Sequence, residues 1–158
     1  MKKLTTLFTL LLTVTTLTSC QKDTDNTPET PETPVETNTS FVGSVVVSEE
    51  GASDYYVKED VTVVITAIHD TTLDFVMNGV RFAENMPMTI DMGVEGVSYS
   101  VAGDTYSLSG DNIIPTAMGG PFDRFPIGDL SGEFNTETMT LSFLCGTYPV
   151  KFEGTIVK

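Results

Sequence analysis

The chain of 158 residues carries 22 acidic side chains against 8 lysines and arginines, one histidine and two cysteines, for a formal net charge of −14. A surface of that sign repels nucleic acid and anionic headgroups, which excludes both as partners held by charge. Two cysteines exclude a disulfide scaffold, and a single histidine excludes a metal triad built on imidazoles.

Met1-Lys2-Lys3 forms a basic start, and Leu4 to Leu17 an apolar run diluted by threonines. A membrane-spanning helix needs roughly 20 apolar residues, so this stretch is too short and too polar to remain as one. Residues 1–19 read as a secretory signal and stand outside the fold. Leu17-Thr18-Ser19-Cys20 resembles the bacterial lipobox. That resemblance implies cleavage before Cys20 and acylation of its thiol and amine with palmitate-type chains. At about 0.8 kcal/mol per buried methylene, two or three such chains hold a protein durably on a membrane. The alternative is a soluble protein cleaved nearby. Gln21-Lys22-Asp23-Thr24-Asp25 is similar to the surface-export signal of lipoproteins in the Bacteroidota, which implies an outer-membrane anchor with outward display. An ordinary polar linker, leaving the protein in the periplasm, is the alternative. Removing Lys2 and Lys3 with the signal leaves 22 acids against 6 bases.

Residues 20–40 include Thr27-Pro28-Glu29-Thr30-Pro31-Glu32-Thr33-Pro34. Proline and like charges favour an extended, solvated chain, so this segment reads as a tether between the anchor and a folded domain at 41–158. From Phe41 onward apolar residues alternate with polar ones, the signature of strands. Phe41 to Ser48 is a first strand. Tyr55 to His69 is a second, with Val61, Val63, Ile65 and Ala67 on one face and Val64 and Ile68 on the other, as if covered on both sides. Asn78-Gly79 predicts a two-residue hairpin that pairs Met77 with Val80 and Phe75 with Phe82. Met88, Ile90 and Met92 line one face of the next strand. A turn at Gly103-Asp104 pairs Val101 with Tyr106 and Tyr99 with Leu108. Ile127 to Phe134 returns through Asn135 to Thr138 into Met139 to Leu144, with Leu130 facing Phe143 and Phe134 facing Met139. A last turn at Cys145-Gly146 puts Val150 opposite Leu141 and Phe152 opposite Met139.

Strands this short and regular predict an all-β domain, an antiparallel up-and-down barrel of about eight to ten strands, with a β-sandwich as the alternative. Phe41-Val42-Gly43-Ser44-Val45, Ile127-Gly128-Asp129-Leu130-Ser131-Gly132 and Val150 to Ile156 resemble strands of the calycin-like β-barrel lipoproteins of the Bacteroidota. The resemblance implies a lipocalin-related barrel over 41–158, in a family without a settled activity.

No arrangement of residues carries a reaction. Cys145 has no partner once Cys20 is acylated and reads as a passive thiol, and His69 as a turn residue. Asp104, Asp111, Asp123 and Asp129 match no calcium loop. No metal or other cofactor is expected, and the chain is not expected to be an enzyme. The long break at 111–126, with Ile113, Ile114, Met118, Phe122 and Phe125, reads either as a fixed plug completing the core or as a lid over the barrel mouth. Methionines in the inward face suit an adaptable lining, or simply a filled core. The leading expectation is non-catalytic binding of a small apolar or amphipathic ligand by Met88, Met92, Tyr99, Phe122, Phe134 and Phe143. The alternative is an accessory module that binds an envelope protein through its loop tips or outer surface.

Overall fold

The computed structural model describes residues 35–48, 55–84 and 86–158. Strands β1 (Val35–Ser48), β2 (Tyr55–Ile68), β3 (Thr72–Val80), β4 (Ile90–Ala102) and β5 (Thr105–Gly110) follow one another as antiparallel neighbours. After two short strands, β6 (Thr116–Ala117) and β7 (Gly120–Pro121), the meander resumes with β8 (Ile127–Phe134), β9 (Thr138–Cys145) and β10 (Tyr148–Ile156). β5 pairs with β8 and β10 with β1, while β3 pairs with both β2 and β4, so the eight long strands close on themselves. The expected antiparallel up-and-down barrel is the observed fold, and the sandwich is excluded. Closure leaves no long edge among the main strands to recruit other chains.

Period-2 alternation places the core. Phe41, Val45, Val61, Val63, Phe75, Met77, Met92, Met139 and Phe152 point inward and are fully buried, forming one contiguous cluster. The outward positions of β8 to β10 are Ser131, Thr138, Thr140, Ser142, Lys151, Glu153 and Thr155. Lipid-spanning barrels place their apolar band outside and their polar residues inside. Here the arrangement is the reverse, and the outer wall of these strands faces water.

β1 begins at Val35, ahead of the expected start at Phe41. Val35 partners Ile68 and Ser40 partners Val64, so the strand draws in the end of the expected tether. The two apolar faces of β2 also have a local cause. A register shift between Ile65 and Ala67 inserts one residue, after which Ile68 joins the inward side opposite Leu73. Val64 stays outward beside Val76.

Asn78-Gly79 is a correction. The pair does not turn the chain; it lies within β3, where Met77 partners Met92 and Val80 partners Ile90. One extra residue on β3 makes a bulge, and Gly79 takes φ +73, a conformation glycine adopts without a Cβ penalty. The same dipeptide chemistry serves a hairpin or a bulge, and pairing with β4 selects the bulge. The last hairpin is corrected as well. Its turn is Gly146-Thr147, so Val150 partners Phe143 and Phe152 partners Leu141. The register moved by two residues, which leaves every side chain on its expected face. The pairings of Val101 with Tyr106, Tyr99 with Leu108 and Phe134 with Met139 are as read from the sequence.

The two long described connections lie at the same end of the barrel. At one end of the barrel lie the tight links 69–71, 103–104 and 135–137, together with the start of β1 and the end of β10. At the other lie 81–89 and 111–126, with the two-residue turn Gly146-Thr147.

Candidate functional site

The sequence-predicted site residues fall into separate places. Cys20 lies outside the described residues. Met92 on β4 and Phe143 on β9 are part of the packed core. Phe134 on β8, 7% exposed, stacks on Tyr106 with ring centres 4.5 Å apart. Tyr106 in turn meets Tyr99 at 5.7 Å, and Phe134 meets Phe41 edge-on at 6.0 Å. These four rings form a chain near the tight-turn end. The Tyr99 hydroxyl donates to the carbonyl oxygen of His69 at 2.9 Å, anchoring one end of it. Such ring pairs add about 0.5–1.5 kcal/mol each beyond their buried area.

Met88 and Phe122 stand elsewhere. Met88 does not continue a strand; it sits in the 81–89 connection with 59% of its surface exposed. Phe122 packs against Phe125 at 5.0 Å, over which the Arg124 guanidinium lies 5.7 Å from the ring centre. Thus Tyr99 and Phe134 belong to one aromatic chain, while Met88 and Phe122 lie in different connections at the opposite end.

The 111–126 segment is tied down along its length. Ile113 and Ile127 exchange backbone hydrogen bonds of 2.9 and 2.8 Å, extending β5 alongside β8. Phe122 N donates to Pro115 O, and Gly146 N donates to Pro126 O. β5 stops at Gly110, and β6 fills the vacant edge of β4 beyond it, pairing Thr116 with Gly93 and Ala117 with Met92. The segment continues the wall through β6 and packs Ile113 and Phe125 against the core.

Three carboxylates, two on neighbouring strands and one just past the end of β5, hold three irregularities of the wall. Asp91 accepts from the amide of Gly79 at 2.9 Å, and Asp74 from the amide of Gly96 at 2.8 Å. Asp111 accepts from the amide of Asp129 at 3.2 Å, where Asp129 itself has φ +49. Each bulge frees an N–H that the ladder cannot use, and a neighbouring side chain supplies the acceptor. The Asp111 carboxylate thus has a structural role, while Asp129 contributes its backbone amide. His69 Nε2 lies 3.0 Å from the other oxygen of Asp74, at the β2–β3 turn. Among the described residues no three histidine, cysteine or carboxylate side chains gather as metal ligands. Burial pushes the Cys145 thiol up from 9.0 to about 11, which disfavours the nucleophilic thiolate.

Sequence reasoning missed one feature. On the outer wall a cross-strand row runs Val64–Val76–Gly93–Thr116 over β2, β3, β4 and β6. The Thr116 side chain lies over Gly93, and beside this row runs an open groove of about 460 Å³ that Met88, Asp91 and Met118 also line. Met118 is 72% exposed and forms, with Gly119, a two-residue turn between β6 and β7 in which both residues have positive φ, +53 and +85. The signal was present in Ala117-Met118-Gly119-Gly120, but a two-residue turn was not placed there.

No family model matches the chain, and no curated protein does. A solved structure of a "putative outer membrane protein" from Bacteroides fragilis is similar in fold, with TM-score 0.52 and 20% identity, over 75% of this chain and 50% of that one. The chain thus spans half the length of that structure, and the likeness concerns the fold.

Proposed function

We propose that this protein is a non-catalytic envelope module: a water-facing barrel, held on the outer membrane by an acylated Cys20, that binds a partner protein with its far end. The carrying observation is that the two long described connections, 81–89 and 111–126, share one end of the barrel, opposite the tight-turn end where β1 starts. A chain anchored through its N-terminal segment joins the barrel at the tight-turn end and leaves those connections free for a partner. The polar wall of β8 to β10 supports residence in water, and the fold likeness to a "putative outer membrane protein" supports an envelope location. The closed meander also agrees with kinship to calycin-like barrels.

The test is Met118→Cys, probed on intact cells with a membrane-impermeant maleimide. Cys145 is buried, so the introduced thiol is the reactive one. Labelling of cells, and loss of the protein from the membrane fraction in a Cys20→Ser variant, is the expected pair of results. A protein that stays in the membrane with Cys20→Ser overturns the anchor, and labelling only after lysis places the far end in the periplasm.

A second reading, an apolar or amphipathic ligand inside the barrel, draws on the ring chain of Tyr99, Tyr106 and Phe134. Tyr99 and Tyr106 are half-buried at the tight-turn end, where inward-facing Val101 is 52% exposed. A ligand reaching deeper would have to displace Phe41 and Met92, both fully buried. Native mass spectrometry of gently isolated protein decides: a bare mass is expected, and extra mass lost on denaturation supports the ligand reading.

A further inference from the structure

We propose that the outer groove beside Gly93, flanked by Met88 and Met118, is a docking site for an extended peptide segment of a partner protein, one that carries a large apolar side chain beside a lysine or arginine. The proposal deepens the partner-binding reading above and rests on it. Four observations converge on the groove. Met88 and Met118 expose 59% and 72% of their surfaces, on a barrel whose later strands turn hydroxyls and charges outward. Methionine is unbranched and polarisable, and it serves binding surfaces that must adapt to varied shapes.

The second observation is conformational. Met118 has φ +53, a region where asparagine or glycine sits with less strain than a methionine. The hairpin tip carries this strain while presenting an apolar side chain to solvent. The third is shape. Beside the row Val64–Val76–Gly93–Thr116, where Thr116 covers Gly93, the surface dips into an open groove between Met88 and Met118.

The fourth is charge, and it selects the occupant. Asp91 is the one charged residue lining the groove, and no base stands there to oppose it. One Asp91 oxygen accepts from Gly79 N, and a carboxylate has a second to offer. With 22 acids against 8 bases over the chain, an anionic amphiphile or a second copy meets like charge, whereas a basic peptide meets its opposite.

The experiment uses the chain from residue 20 with Cys20→Ser, labelled with carbon-13 at the methionine methyls. Two acetylated, amidated peptides are titrated, Ala-Lys-Leu-Lys-Ala and Ala-Glu-Leu-Glu-Ala, and separately dodecanoate. The expected result is saturable movement of the Met88 and Met118 methyls with the lysine peptide only. The buried methyls of Met77, Met92 and Met139 should stay fixed. Met88→Ser combined with Met118→Ser, both at exposed positions, should weaken binding at least about tenfold, and Asp91→Asn should weaken it severalfold. Equal response to the acidic peptide, or response to dodecanoate alone, overturns the proposal in favour of a nonselective or lipid-binding groove. Concentration-dependent broadening without peptide overturns it in favour of self-association. Silence of Met88 and Met118 towards all three probes overturns it outright. If the maleimide experiment shows the far end exposed on cells while these methyls stay silent, the groove fails and the partner-binding reading survives.

Discussion

Asp74 on β3 accepts a hydrogen bond from the amide of Gly96 on β4 at 2.8 Å, at the bulge where β4 gains a residue on its neighbour. Farther along the same strand pair the relation is mirrored: Asp91 on β4 holds the amide of Gly79 on β3. Each strand thus carries both a bulge and the acceptor for the other's bulge. Bulges bend and twist the sheet locally, which closing a barrel requires.

Asp74→Ala should therefore destabilise the domain by about 1.5–3 kcal/mol, the range for a hydrogen bond to a charged group. Asp74→Asn keeps an acceptor for Gly96 and should lose less. Urea denaturation followed by circular dichroism measures both, and an Ala variant as stable as the wild type would remove the bulge-holding role.

Two classes of glycine should separate. At Gly79 and Gly96 an added Cβ meets nothing within 4 Å, so alanine there costs only the positive φ, about 1–2 kcal/mol. Gly43 pairs directly with Gly154, and a Cβ on it would overlap the carbonyl oxygen of Glu153. Gly43→Ala should cost more than twice as much, or abolish soluble expression, in the same denaturation assay.

Phe134→Ala removes the ring between Tyr106 and Phe41 and should cost about 3–5 kcal/mol. Met88→Ser, at an exposed connection, should stay within about 0.5 kcal/mol of wild type. Thermal melts of the two variants give the comparison.

Cys145 links stability to alkaline pH. Its folded-state pKa is raised to about 11 by burial, from 9.0. The unfolded chain releases this proton first, so the contribution is whole below pH 9 and is lost as pH rises towards 11. The loss amounts to roughly 3 kcal/mol. In Cys145→Ala that part of the decline should vanish. In the native protein below pH 9 the thiol should react with maleimide only at the rate of global unfolding.

A chain starting at residue 41 should be less stable than one starting at residue 35, because Val35 to Ser40 continue β1 against Ile68 to Val64. A lower urea midpoint for the shorter chain is the expected result, and equal midpoints would make those pairings dispensable.

Much of the barrel was legible in the amino-acid order because a two-residue period declares both strand and face. The register at Val101–Tyr106 followed from the Gly103-Asp104 turn, and a turn misplaced at Cys145-Gly146 still left Phe152 and Val150 inward. The candidate site was less legible. Tyr99 and Phe134 were singled out as apolar positions, yet a one-dimensional pattern does not reveal which apolar residues stack and which, like Met88, end in solvent.

The sequence by itself determined the apolar interior, the polar outer wall of the later strands and the acidic charge, since each depends on residue type and near neighbours. The order of the strands in the closed sheet, by contrast, came from the tertiary structure. Tertiary structure alone decided that Asn78-Gly79 bulges rather than turns, because the choice depends on whether β4 is there to pair with β3. It also decided that residues 111–126 continue the wall, since only the early end of β5 leaves an edge of β4 for Thr116 and Ala117 to fill. The groove beside Gly93 has the same origin: Met88 and Met118 flank it only once residues 88–93 and 116–119, distant in sequence, are brought side by side.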